Sequence, residues 1–132
     1  MEIIVAKYAG ACYGVNRSLE IVWEASKQEK NTATFGELIH NPAVIQELKT
    51  KCGVSTVDSI DNAIESNVEQ LIIRSHGVPI NIIKDAKAKK IDVVDATCPY
   101  VKNVQTTASI LAGLYPAVII IGKSGHPEIF TY

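Results

Sequence analysis

The strongest constraint on the fold of this 132-residue chain is a regular alternation of short Ile- and Val-rich runs with segments of helical periodicity. The strand-like runs are Ile3–Tyr8, Thr32–Phe35, Val54–Val57, Gln70–Arg74, Ile91–Val94 and Ala117–Ile121. Strands that alternate with helices form βαβ units, and such units build a parallel sheet covered by helices. The sequence therefore predicts an α/β fold with a mainly parallel sheet flanked by helices.

Apolar residues at three- and four-residue spacing mark the helices between these runs. The first helix carries Val15, Leu19, Val22 and Trp23 on one face, and its charged residues, including Arg17, are mostly turned away. Four further helices are predicted: one that starts at Pro42 with Asn41 as its N-cap, one over Ser59–Ser66, one that begins near Pro79, and one from Pro99 to about Leu111 that stops at Gly113.

Composition and charge exclude several classes of protein. Thirteen Lys and Arg against 14 Asp and Glu leave a net charge of −1, whereas a general nucleic-acid binder has a basic excess. The longest unbroken apolar run, Ala117–Ile121, is far too short to span a membrane, and the first residues do not resemble a signal peptide. Three cysteines at long spacings make a poor disulfide framework. We expect a cytoplasmic protein without nucleic-acid or membrane partners, whose cysteines are available for metal or redox chemistry.

The chemically reactive residues follow the ends of the predicted strands. Those residues are Cys12, His40, His76, Cys98, His126 and Glu128. In an open parallel sheet, ligands bind outside the carboxyl ends of the strands, so these side chains are expected to face one crevice.

Each of these residues also has an ordinary structural interpretation. A cysteine is often a small core residue, and Cys52, at the end of a helix, is interpreted in that way. Cys12 and Cys98 stand at strand-to-helix turns, where a helix N-terminus favours the thiolate that binds metal. Loop histidines often bind only a carbonyl, although three on one rim suit an anion such as phosphate. Glu128 is either a solvated surface residue or an acid–base group. A zinc- or phosphate-binding α/β module that uses the Cys and His residues of the rim stays an alternative.

Five segments together resemble a known family. In order, they are Gly10-Ala11-Cys12-Tyr13-Gly14-Val15-Asn16-Arg17, Ile39-His40-Asn41, Ser75-His76-Gly77-Val78, Asp95-Ala96-Thr97-Cys98-Pro99 and Gly122-Lys123-Ser124-Gly125-His126-Pro127-Glu128. Their order and spacing are similar to those of the signature segments of the 4-hydroxy-3-methylbut-2-enyl diphosphate reductases, the LytB/IspH family. The resemblance covers almost the whole chain.

The resemblance implies an oxidoreductase of isoprenoid biosynthesis, in the methylerythritol phosphate pathway, that removes the allylic hydroxyl of a diphosphate substrate and yields isopentenyl and dimethylallyl diphosphate. It implies a 4Fe–4S cluster held by three cysteines, of which Cys12 and Cys98 match two. By the same resemblance, the histidines at positions 40, 76 and 126 would surround the diphosphate, and Glu128 would be the acid that protonates the leaving hydroxyl. A ferredoxin or flavodoxin would serve as electron donor, and the family fold would have three α/β domains.

The resemblance is incomplete in one respect. Family members are more than twice as long, and the third cluster cysteine has no counterpart, since Cys52 lies outside the motifs. We therefore expect a truncated N-terminal portion, with residues 1–97 as a first α/β domain and residues 98–132 as the start of a second. Such a chain would hold a cluster poorly, would be inactive alone, and would be able to associate with itself through uncovered apolar surface.

Overall fold

The structure, a computed structural model, describes residues 2–7 and 9–131. The helices are α1 (Tyr13–Ser26), α2 (Pro42–Cys52), α3 (Ile60–Glu65), α4 (Ile80–Ala88), α5 (Pro99–Leu114) and a short 3₁₀ helix, Pro127–Thr131. The strands are β1 (Thr32–Phe35), β2 (Ser55–Val57), β3 (Gln70–Ile73) and β4 (Asp92–Asp95). In the part of the chain described, none of the helices combines the length and the apolar character needed to cross a membrane.

The strands form one parallel sheet in the order β2-β1-β3-β4, which confirms the predicted α/β fold. Phe35 at the end of β1 stands opposite Val57 of β2 and Ile73 of β3, and Ile73 stands opposite Asp95 of β4. The chain runs outward from β1 to β2, returns past β1 to β3, and then continues to β4. The direction of winding thus reverses between β1 and β3, and the crevice beyond their carboxyl ends is the position where such sheets bind ligands.

Helices cover both faces of the sheet, and alternate residues of β3 point to opposite sides. Ile72 packs in one core cluster with Val22 of α1 and Leu48 of α2. Its neighbour Leu71 packs in a second cluster, on the other side, with residues of α3 and α4 that include Ala86. Both strand residues are fully buried, and the sheet is therefore the centre of a three-layer arrangement.

Local sequence signals set the helix starts as predicted. The Asn41 side chain accepts hydrogen bonds from the Ala43 and Val44 N–H groups, and Pro42 occupies the first position of α2. The Ser59 hydroxyl accepts from the N–H of Asn62 and begins α3. These caps satisfy N–H groups that have no partner inside the helix.

Two predicted strands are not formed. Residues 3–7 are irregular and Ile4 is 82% exposed, while Tyr8, the last residue of that predicted strand, lies outside the described residues. The run Ala117–Ile121 is also irregular, and Ile119 and Ile121 are 86% and 95% exposed. A strand is stable only when its backbone groups pair with a neighbour, and no described segment pairs with either run.

Helix α5 differs from the prediction in its end and in its buried face. It continues through Gly113 and ends at Leu114. The helix ends there because Pro116 disfavours a helical conformation in the preceding residue, Tyr115, which is extended (φ −126°, ψ 149°). Of the predicted apolar face only Val101 is buried, whereas Val104 is 47% exposed.

Candidate functional site

Two cysteine thiols and a carboxylate line one cavity at the carboxyl edge of the sheet. Cys12 is the N-cap residue of α1, and Cys98 is the N-cap residue of α5. Both line a cavity of about 320 Å³ together with His76 and Glu128. All the cysteines are free thiols. Cys52, the last residue of α2, packs instead against the core cluster that contains Val22 and Leu48. The structure thus places Cys12 and Cys98 on one cavity and Cys52 away from it.

The start of α5 is packed closely against the first turn of α1. A Cβ atom on Gly14 would lie 2.5 Å from Cys98 Sγ, so only glycine fits there without movement of the thiol. The Cys98 N–H also donates a 2.9 Å hydrogen bond to the carbonyl of Ser75, which follows β3. The Cys98 thiol is therefore fixed between α1 and the loop after β3.

The three histidines form a row, which we call the histidine row: His40, His76 and His126. The ring centres of His40 and His76 are 4.7 Å apart, and those of His76 and His126 are 5.8 Å apart. His40 follows β1 and His76 follows β3, so the row lies across the reversal of winding between these strands. Residues that the sequence placed on the same rim are thus in contact.

His76, at the centre of the row, is unprotonated near neutral pH. Burial lowers the pKa of His76 to about 4, and repulsion from His40, Arg74 and His126 adds to this effect. Its Nδ1 atom is buried and has no hydrogen-bond partner among the described residues. Since a buried polar atom is normally paired, this nitrogen is left with an unmet hydrogen bond.

His126 and Glu128 are joined by a hydrogen bond from a backbone N–H group to a ring nitrogen. The Glu128 N–H donates to His126 Nδ1 over 3.4 Å. A neutral His126 ring that accepts at Nδ1 carries its proton on Nε2, which is left to donate. The Glu128 side chain is half-buried and lines the cavity that contains both cysteines.

The described residues do not form a closed metal site. Nowhere in residues 2–7 and 9–131 do three or more His, Cys, Asp or Glu side chains come together in a way that could hold a metal ion. Among the described residues, the geometry thus gives no support to a zinc module built from Cys12, Cys98 and a histidine. The two thiols that face one cavity fit two ligands of a larger group such as an iron–sulfur cluster.

Sequence reasoning missed the contacts that hold the segment before Cys98. Arg17, predicted to be mostly turned away, donates from Nη1 to the Thr97 carbonyl over 3.1 Å. Asp95 accepts from the Thr97 N–H at 2.9 Å and pairs with Lys102 at 2.6 Å. Burial raises the pKa of Asp95, but the bonds from Lys102 and Thr97 outweigh it, so that pKa lies below its usual value. No sequence pattern indicates the Arg17 contact, because it joins residues 80 positions apart.

These features describe a parallel α/β protein with cysteine and histidine side chains gathered where its sheet reverses direction. The LytB protein family matches residues 3–132, and the chain belongs to this family.

Relatives with known names share one activity. A 4-hydroxy-3-methylbut-2-enyl diphosphate reductase of Clostridioides difficile (strain 630) is 43% identical over 130 residues, which are 98% of this chain and 46% of the relative. The reductase of the same name from Geobacter sulfurreducens is 40% identical over 129 residues. The chain thus spans slightly less than half the length of the curated relatives it matches.

Solved structures show the same fold. A structure described as (E)-4-hydroxy-3-methyl-but-2-enyl diphosphate reductase, the terminal enzyme of the non-mevalonate pathway, superimposes with a TM-score of 0.81 at 34% identity over 97% of this chain and 44% of the other. The E-1-hydroxy-2-methyl-but-2-enyl-4-diphosphate reductase of Plasmodium falciparum superimposes with a TM-score of 0.84 at 30% identity, over 93% of this chain and 38% of the other.

Proposed function

We propose that this chain is part of a 4-hydroxy-3-methylbut-2-enyl diphosphate reductase and carries part of its active site. The reaction is a reductive removal of the substrate hydroxyl that yields isopentenyl and dimethylallyl diphosphate. One observation carries the proposal: two cysteine thiols, the Glu128 carboxyl and His76, with its unpartnered Nδ1, line the same cavity of about 320 Å³. The names of the relatives support the choice of substrate.

The histidine row would bind the diphosphate. Imidazole N–H groups donate hydrogen bonds to phosphate oxygens, and three rings within contact distance offer several donors to one anion. His76 has a pKa of about 4 and would enter as a neutral donor, and an anion beside it would favour its protonation.

Cys12 and Cys98 would hold an iron–sulfur cluster as two of its thiolate ligands. When bound, such a group supplies the electrons of the reduction. The described residues offer no third ligand, so that ligand would come from outside them. A ferredoxin or flavodoxin in the cytoplasm would be the electron donor.

Glu128 would hold the proton that the departing hydroxyl needs. A carboxylic acid at its position in the cavity can pass a proton from its carboxyl oxygen to the hydroxyl oxygen of the substrate. The hydrogen bond from the Glu128 N–H to His126 Nδ1 would hold this residue beside the anion-binding row.

We also propose the division into residues 1–97 as a first domain and residues 98–132 as the start of a second. The last strand of the sheet ends at Asp95, and α5 begins at Pro99, which supports a boundary between them.

A chimera tests the proposed function. This chain would replace the matching part of the Clostridioides difficile relative, and reductase activity would be measured with 4-hydroxy-3-methylbut-2-enyl diphosphate. Replacing Cys12 or Cys98 by alanine should lower activity by more than about 100-fold, since even residues that only support metal ligands cost 10- to 100-fold. Cys52→Ala is the matched control and should retain activity. An active Cys98→Ala chimera would contradict the proposed ligand.

The acid role of Glu128 has its own variant in the chimera. Glu128→Gln keeps the shape of the side chain but cannot supply the proton, and it should lower kcat by about 10²- to 10⁴-fold. The KM should change little, because the histidine row is untouched. If Glu128→Gln raises KM and leaves kcat as it was, the residue binds substrate and is not the acid.

A further inference from the structure

Arg17 connects the two helix starts that carry the site cysteines. It lies in the second turn of α1, five positions after Cys12, and is half-buried. Its Nη1 donates a 3.1 Å hydrogen bond to the carbonyl of Thr97, the residue before Cys98. A single side chain therefore joins the turn that follows one thiol to the residue that precedes the other.

The Thr97 carbonyl needs such a partner. Thr97 is only 4% exposed, and its carbonyl precedes α5, whose first helical bond runs from the Lys102 N–H to the Cys98 carbonyl. A buried carbonyl outside a helix or sheet ladder is costly unless a donor reaches it. A guanidinium is a strong donor for this purpose because its hydrogen bonds are charge-assisted.

The other bonds of this segment tie it to β4 and to the loop after β3, and not to α1. The Thr97 N–H donates to Asp95, and the Cys98 N–H donates to Ser75. The contact of Gly14 with the Cys98 thiol is close but has no direction of its own. The Arg17 hydrogen bond is thus the directional contact between the start of α5 and α1 among the described bonds of this segment.

We propose that Arg17 is a positioning residue that sets the placement of the Cys98 thiol relative to the Cys12 thiol. This proposal rests on the proposed function only in assuming that the two thiols, held at that spacing, bind one group. Lysine cannot replace it fully, because its single ammonium group lacks the planar, multi-donor geometry of a guanidinium.

Amide hydrogen exchange and thiol alkylation of the 132-residue chain test this role. All variants would carry Cys52→Ala, so that only the two site thiols react. Arg17→Met removes the donor at similar length, Arg17→Lys keeps the charge, and Lys27→Met is the matched control, because Lys27 is an exposed residue at the end of the same helix. Exchange would be compared between the Cys98 amide and amides of β3. Alkylation by N-ethylmaleimide would be read as the Cys98-to-Cys12 rate ratio.

In Arg17→Met, exchange at Cys98 should be about tenfold faster, as expected for loss of one charged hydrogen bond that is partly exposed. The alkylation ratio should rise in parallel, amides of β3 should be unchanged, Arg17→Lys should be intermediate, and Lys27→Met should match the parent. Unchanged exchange at Cys98 would overturn the proposal, and so would equal acceleration of Cys98 and β3. Neither readout needs a ligand, so failure of the proposed function leaves this test intact.

Discussion

His76 is the most perturbed titratable residue of the site, because it sits half-buried between two other imidazoles and near Arg74. Each of these neighbours opposes a positive charge on its ring. The ring is therefore held neutral, and its buried Nδ1 has no hydrogen-bond partner among the described residues. An anion close to the ring would oppose the effects of burial and of the neighbouring charges, since it favours the protonated form.

His76 should make the stability of the chain depend on pH. Its pKa is about 4 in the folded chain, below the ordinary value of 6.5, so the unfolded chain binds more protons between these values. The free energy of unfolding should therefore fall as pH is lowered from 7 to 5, by about 1 kcal/mol from this residue after allowance for its partial exposure. Urea denaturation at both pH values measures the change.

The matched comparison is His76→Asn, which removes the titrating group and keeps a polar side chain. The loss of stability between pH 7 and pH 5 should be smaller in the variant by that same amount. Equal losses in parent and variant would show that the ring is not held neutral.

At the scale of elements, the site is built from helix starts. Cys12 and Cys98 begin α1 and α5, and the His40 loop leads into α2 through the Asn41 cap. Helix starts leave N–H groups without partners inside the helix, so they favour caps and anionic ligands at one edge of the sheet. Because α2 and α5 each follow a parallel strand, their starts collect at the same edge, and the first turn of α1, which follows no strand, packs against the start of α5.

Asn41→Ala should destabilise the chain by about 1 kcal/mol, because the Asn41 side chain accepts from the Ala43 and Val44 N–H groups. Chemical denaturation gives the free energy of unfolding. Asn103→Ala, the same change inside exposed helix α5, is the control and should leave stability the same or slightly higher. An equal loss in both variants would argue against the cap.

Two helical glycines should respond in opposite ways to alanine. At Gly14 the new Cβ would meet Cys98 Sγ at 2.5 Å, so Gly14→Ala should cost about 1–3 kcal/mol and displace the thiol. At Gly113 nothing lies within 4 Å, so Gly113→Ala should stabilise α5 by about 0.5–1 kcal/mol. Thermal unfolding of both variants checks the pair. A stabilised Gly14→Ala chain would refute the close packing of α1 on α5.

At the scale of the whole molecule, apolar surface is concentrated outside the sheet. Leu114 is 70% exposed and Ile121 is 95% exposed, while the cores on both faces of the sheet are closed. The chain thus has well-packed layers around β1 to β4. It also has an uncovered apolar region that runs from Leu114, the last residue of α5, to Ile121.

This region should cause the chain to associate with itself. Sedimentation velocity should give a sedimentation coefficient that rises with concentration, because an exposed apolar run attracts other apolar surface. Replacing Ile119 and Ile121 by serine should reduce the rise. Ile64→Ser, which removes an exposed isoleucine of α3, should not. A parent chain that sediments as a monomer at every concentration would contradict the prediction.

Much of this architecture was predictable from local patterns. The Asn41-Pro42 start of α2 and the Ser59 start of α3 depend on neighbours within a few residues, and the structure confirms both. The sequence could not show that two of the predicted strands stay unpaired. A strand-like run such as Ala117–Ile121 has β propensity, but it does not specify the partner strand that it needs. The contact between Arg17 and Thr97 also depends on a partner that is distant in sequence, and the local sequence around neither residue indicates it.

The sequence by itself determined the four strands of the sheet, the helices between them and the residue types that follow those strands, because helical period, strand period and caps are properties of short segments. Only the tertiary structure decided that His76 lies between the other two histidines with a buried nitrogen, and that Arg17 reaches Thr97 across 80 positions. Burial, pKa and long-range hydrogen bonds depend on what surrounds a side chain in space. That environment is fixed when the sheet forms and brings distant loops to one edge.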